Sequence, residues 1–153
     1  LIPDYLGAEL RAVVDARPDV LAHNVEVVRE LTAEIRDRRS SYSRSLGVLR
    51  EARELCPEMT TKSSLLLGLG ETDEQIEETL DDLRRVGVST ICLGQYLQPT
   101  RANVSVVEYI TPEKFDALGQ LARSRGFREV LSGPLVRTSY RAAELIGRAE
   151  SGA

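Results

Sequence analysis

The sequence predicts an α/β protein whose β/α units build a parallel sheet. Three observations carry this: short apolar runs alternate with longer stretches of helical period, proline or glycine punctuates the joins, and polar segments recur where the apolar runs end. An open parallel half-sheet would leave unpaired strand edges, so the units are read as part of a larger barrel. The 153 residues suit one ordinary domain, at 42% hydrophobic and 29% charged. A net charge of -4 argues against a nucleic-acid footprint. No apolar run approaches the roughly 20 residues that cross a bilayer, and no signal peptide opens the chain. A soluble intracellular protein is expected.

In order, Leu1-Ile2 reads as the stub of a strand. With no initiator methionine, the chain is expected to be a fragment that begins inside an element. Leu6, Leu10, Val13 and Val14 follow at helical spacing up to Pro18. Residues 19–22 form a short strand leading into His23-Asn24-Val25-Glu26, and a polar connection carries Arg36, Asp37, Arg38 and Arg39. A helix over 41–55 buries Tyr42, Leu46, Leu49, Ala52 and Leu55 and stops at Pro57. Residues 63–67 are a strand covered on both faces, with Lys62 just before it, at the end opposite the expected site, where a structural ion pair is expected at least as readily as a ligand contact. Gly68-Leu69-Gly70-Glu71 ends it. Thr72 and Gln75 then have capping-box spacing for a helix with Ile76, Leu80, Leu83 and Val86 inward and Gly87 as its stop. Residues 90–93 are a strand, followed by Gly94-Gln95-Tyr96-Leu97-Gln98-Pro99. Thr111-Pro112-Glu113 starts a helix that ends at Gly126. Val130-Leu131 is a last short strand, and 141–150 reads as a short helix.

Three polar segments therefore follow directly on strands: HNVE, GLGE and GQYLQP. In parallel β/α folds ligands bind beyond the carboxyl ends of the strands, so the three would face one site. GLGE is neither a dinucleotide loop, because Asp73 stands where a third glycine belongs, nor a P-loop. It is either a tight strand-to-helix turn or a close approach of backbone to a flat neutral group; Glu71, Asp73 and Glu74 disfavour an anion. Asn24 and Glu26 would point the same way on an extended backbone, an amide and a carboxylate suited to ribose hydroxyls. His23 has no second histidine with which to bind a metal. Cys56 and Cys92 lack cluster spacing and read as free thiols in a reducing compartment.

Taken together HNVE, IRD, TKSSLLLGLGET, LGQYLQP, SGPLVRTSY and the opening IPDY resemble the lipoyl synthases over essentially the whole chain. The resemblance implies the carboxyl-terminal half of a partial (β/α)6, TIM-like radical S-adenosylmethionine barrel, residues 1–132. Residues 133–153 would be a carboxyl-terminal extension. It implies a sulfurtransferase that inserts two sulfur atoms at C6 and C8 of a protein-bound octanoyl-lysine, using S-adenosylmethionine and two [4Fe–4S] clusters. Implied cofactor-binding residues are Asn24, Glu26, Arg36, Gly68, Leu69, Gly70, Leu97 and Gln98. The implied metal ligand is Ser139, the last iron ligand of the auxiliary cluster; a serine oxygen is a harder and weaker ligand than a thiolate.

Implied partners are octanoylated lipoyl carrier domains (the E2 subunit of 2-oxoacid dehydrogenases and the glycine cleavage H protein), an iron–sulfur carrier and an electron donor. The compartment would be bacterial cytoplasm, mitochondrion or plastid. This sequence departs from the family at Thr138, usually serine, at Ala8, usually aspartate, and over Val27-Val28-Arg29-Glu30-Leu31. Neither cysteine motif of the family is present, so the chain alone is expected to be inactive. The competing expectation is a short protein that binds a lipoyl carrier or another barrel half without catalysis.

Overall fold

The computed structural model describes residues 1–138. Within them the chain order is α1 (Ala8–Asp15), β1 (Val20–Ala22), α2 (Arg29–Ile35), α3 (Tyr42–Leu55), β2 (Thr60–Leu67), α4 (Asp73–Arg85), β3 (Thr90–Gln95), α5 (Pro112–Ser124) and β4 (Glu129–Gly133). The strands form one parallel sheet in the order β1-β2-β3-β4. Space order follows chain order without a reversal. That is the winding of a barrel wall, whereas a doubly wound sheet changes direction at a switch point.

The winding puts the helices on one face. Leu65, Leu67, Ile91, Leu93 and Val130 share a core with Leu49 of α3, Ile76, Leu80 and Leu83 of α4, and Phe115, Leu118 and Ala122 of α5. A second cluster joins Leu10 and Val14 of α1 to Leu21 of β1 and to Val48 and Ala52 of α3. Because side chains alternate along a strand, Lys62 and Ser64 of β2 and Cys92 and Gly94 of β3 take the opposite, concave face.

The helix signals act as expected. Gln75 N donates to Thr72 Oγ1 at 3.3 Å and Thr72 N to Gln75 Oε1 at 2.9 Å, a complete capping box. Thr111 caps α5 through Lys114 N, with Pro112 in the first turn. Gly87 and Gly126, both at φ +86°, end α4 and α5.

The structure corrects four expectations. Leu1-Ile2 is not a strand, although Ile2 N donates to Ala22 O at 3.0 Å. The connection after β1 holds a helix, α2, which the sequence does not announce: its N-cap is Val28 and no side chain caps it. β2 begins at Thr60, so Lys62 lies inside the strand rather than before it. β3 continues to Gln95 and β4 to Gly133, so Gly94, Gln95 and Gly133 are strand residues, not loop. The expected helix at 141–150 lies outside the described residues.

One buried polar cluster joins α2, α3 and α4. Asp82, 7% exposed, accepts hydrogen bonds from Arg29 and Arg85 and from Tyr42 Oη at 3.2 Å. Arg29 also stacks over the Tyr42 ring, 4.9 Å from its centroid. Burial first, and then the neighbouring Asp82 carboxylate, push the Tyr42 phenol up to about 12; a hydrogen bond with Thr79 opposes them. The fold disfavours the phenolate, so this contribution to stability is complete below about pH 10 and is lost as pH rises towards about 12. Ultraviolet titration is expected to show one tyrosine ionising near pH 12, and Tyr42→Phe to remove that step. At the apolar core, Leu80→Ala is expected to lower the free energy of unfolding by about 2–5 kcal/mol in a urea titration.

Candidate functional site

The site is built where β1 ends. Pairing with β2 continues past Ala22: His23 N donates to Lys62 O at 3.0 Å, Glu26 N to Ser64 O at 3.1 Å, and Leu66 N to Glu26 O at 2.7 Å. Between these bonds the chain does not stay extended. Glu26 has φ +66°, in the left-handed region, and Val27 N donates back to Val25 O at 2.9 Å, closing a γ-turn. A non-glycine residue held there costs on the order of 1–2 kcal/mol, and such strain clusters at functional sites.

The turn brings Asn24 and Glu26 together. Asn24 Nδ2 donates to Glu26 Oε1 at 3.0 Å and to Thr138 Oγ1 at 2.9 Å. Asn24 is 5% exposed, and its Oδ1 is buried without a hydrogen-bond partner. A buried acceptor left unpaired costs about 1–3 kcal/mol, which a donor on an occupant would recover.

Asn24, Glu26 and Arg36 line a cleft of about 570 Å³ together with Asp4, Arg39 and Arg44. Arg36 is steadied by a 2.9 Å bond from Nη1 to Ser45 Oγ of α3. His23 lines the same cleft: Nδ1 lies 3.0 Å from Ile2 O and Nε2 3.0 Å from Asp4 Oδ1, so the ring fastens the amino-terminal segment that forms one wall.

The other sequence-predicted residues sit at the neighbouring strand ends, outside this cleft's walls. Gly68 and Gly70 have φ +96° and +102°. What approaches Gly68 is the chain itself: a Cβ there would lie 2.3 Å from Glu108 O and 2.4 Å from Gln95 Nε2. Val107 N and Glu108 N both donate to Gly68 O, and the Glu71 carboxylate accepts from Gly68 N at 2.6 Å and Leu69 N at 2.9 Å. Glu71 thus closes the turn instead of facing a ligand. Leu97 and Gln98 are exposed, and Gln98 Nε2 donates to Asn103 O at 2.7 Å within its own loop. Ser139 lies outside the described residues.

One feature has no signal in the sequence, and a second stands in a different place from the one the sequence predicts. Thr138, noticed only as a departure, reaches Asn24 across 114 residues. Lys62 is 2% exposed with a buried Nζ that makes no hydrogen bond. It lies near Cys92, whose thiol is pushed up by burial and drawn back by the Lys62 charge. Among the described residues no group of three or more His, Cys, Asp or Glu side chains is placed to hold a metal ion, and no helix is long and apolar enough to cross a membrane.

The chain matches the radical SAM superfamily over residues 2–83. Lipoyl synthase from Halorhodospira halophila is 53% identical over 148 residues, covering 95% of this chain and 44% of that protein. Mitochondrial lipoyl synthase from Aedes aegypti is 51% identical over 146 residues, covering 94% and 37%. The chain thus spans less than half the length of these relatives. Among solved structures, a Burkholderia cenocepacia J2315 protein assigned as a phosphonomutase aligns with a TM-score of 0.50 at 18% identity, over 94% of this chain and 61% of that one. That likeness bears on the fold alone.

Cys92 is fully buried and its thiol raised, whereas Cys56 is half-buried at the end of α3. A disulfide reagent applied to the folded chain at pH 8 is expected to modify Cys56 and to reach Cys92 only on addition of denaturant. Equal rates at both would place Cys92 nearer solvent than the concave face allows.

Proposed function

This chain belongs to the radical SAM superfamily, in the branch of the lipoyl synthases, and from that premise we propose that it forms the carboxyl-terminal part of such an enzyme. The cleft at the end of β1 is read as the seat of the ribose and amino-acid portion of S-adenosylmethionine. The observation that carries this is the Asn24–Glu26 pair at the cleft, whose amide oxygen has no hydrogen-bond partner. A ribose hydroxyl or the ammonium of the methionyl group supplies such a donor. Glu26 would accept from a second hydroxyl, and Arg36 would meet the carboxylate.

The described residues therefore fit the nucleoside cofactor. They do not supply an iron–sulfur ligand set. Bound in the intact enzyme, S-adenosylmethionine with a reduced iron–sulfur cluster would supply radical chemistry for removing hydrogen from an octanoyl chain. The work of this chain's own residues is to bind and orient. Asn24 and Glu26 fix the sugar, the γ-turn at Glu26 sets their angle, and Asp4 and Tyr5 form the facing wall of the cleft.

The reading extends to insertion of sulfur at C6 and C8 of octanoyl-lysine on lipoyl carrier domains. It includes two [4Fe–4S] clusters, with Ser139 as the auxiliary cluster's oxygen ligand on the strength of Arg137-Thr138-Ser139-Tyr140 alone. An iron–sulfur carrier and an electron donor complete its partners, in the cytoplasm or in an organelle. By itself the chain is proposed to bind without turning over.

Calorimetry with S-adenosylhomocysteine tests the cleft. The 153-residue chain is expected to bind it, and Asn24→Ala to weaken binding at least about tenfold, the equivalent of about 1.4 kcal/mol. Unchanged affinity in Asn24→Ala would move the site elsewhere. Joined to the amino-terminal half of a relative, the chain is expected to form lipoyl groups on an octanoylated carrier, and Ser139→Ala to abolish this.

A further inference from the structure

We infer that Thr138 is a positioning residue that couples the segment after β4 to whatever occupies the cleft, through the Asn24 amide. The inference rests on the cofactor reading above but concerns a contact that reading does not use.

The segment crosses the carboxyl ends of the strands. Val136 N donates to Gly133 O at 3.1 Å, turning the chain at the end of β4. Val136 O then lies so close over β3 that a Cβ on Gly94 would come within 2.3 Å of it. Arg137 Nη1 reaches Val136 O at 2.7 Å and Gln95 O at 3.4 Å, which ties the crossing to the end of β3. Thr138 then meets Asn24 beyond β1 at 2.9 Å, the far anchor of a strap over residues 134–138.

Asn24 has two N–H donors, and both are committed, one to Glu26 Oε1 and one to Thr138 Oγ1. A flipped amide would set Oδ1 against the Glu26 carboxylate, so the orientation is fixed by charge. Only the acceptor Oδ1 is left for a ligand, and it is buried and unpaired. A donor on the occupant that engages Oδ1 polarises the amide and strengthens the N–H bond to Thr138; conversely, the bond to Thr138 holds the amide in the orientation that leaves Oδ1 as its free acceptor. Each event therefore favours the other, as linkage requires. Removing the hydroxyl frees the amide to rotate about its remaining bond to Glu26.

The test uses the full 153-residue chain with S-adenosylhomocysteine as probe. Backbone hydrogen exchange is read at Val136, whose N–H is tied to Gly133 O. Saturating probe is expected to slow exchange at Val136 at least about fivefold in the wild type. Thr138→Val is expected to abolish that response and to weaken probe binding severalfold, while Thr138→Ser retains both. A Val136 amide indifferent to bound probe, or a Thr138→Val chain that responds like the wild type, overturns the coupling and leaves the cofactor reading standing. Should the wild type bind no probe, the cofactor reading falls and the coupling with it. The wild-type arm decides the question even if Thr138→Val fails to fold.

Discussion

The site depends on the way β2 holds the chain after β1 has formally ended. Ser64 O and Leu66 N grip the two sides of the Glu26 peptide, and between them they force a bulky charged residue into the left-handed region. Free of β2, that backbone would relax to φ < 0 and separate the carboxylate from Asn24. The strain is met by the longest strand of the sheet, which is itself locked to β3 over six paired residues. Site geometry is therefore a property of the ladder, and side-chain packing only finishes it.

Ladder and helices divide the two faces of the sheet between stability and chemistry. Leucine, isoleucine and phenylalanine from α3, α4 and α5 fill the convex side. The concave side carries Lys62, Ser64, Cys92 and Gly94 beside Leu66 and Leu131, a mixed lining rather than a hydrocarbon core. The glycines follow the same division. Gly68 is required because Gln95 and the 107–108 loop press on it, and Gly94 because the strap does. Both are sites of close approach, but what approaches is this chain's own backbone or side chains.

Much of this was legible in the sequence, for local reasons. Thr72 with Gln75, Thr111 with Pro112, and the glycines at 87 and 126 are signals contained within a few residues, and they place α4 and α5 closely. Helix α2 was not legible because Val28 offers no capping oxygen and only seven residues follow. Lys62 was misplaced because Thr60-Thr61-Lys62 reads as polar and exposed, whereas the parallel sheet buries all but its first residue. The Asn24–Glu26 pair was found for a reason that the structure replaces. An extended strand would align them by alternation, but a γ-turn is what brings them to 3.0 Å. Thr138 carries no local signal, since its partner is set by topology across the whole sheet. The family resemblance supplied the chemistry, and its serine lies beyond the described residues.

The bond between Asn24 and Thr138 also has a meaning for how the chain finds its shape. Each strand pairs with the next one in sequence, so the sheet can assemble through comparatively local steps, each bringing the following strand within reach. A contact across 114 residues would be entropically remote in an unfolded chain. After β4 has docked, only the short span from Gly133 to Thr138 remains to be ordered. The strap is thus a late and inexpensive closure, and its seating registers that all four strands have arrived.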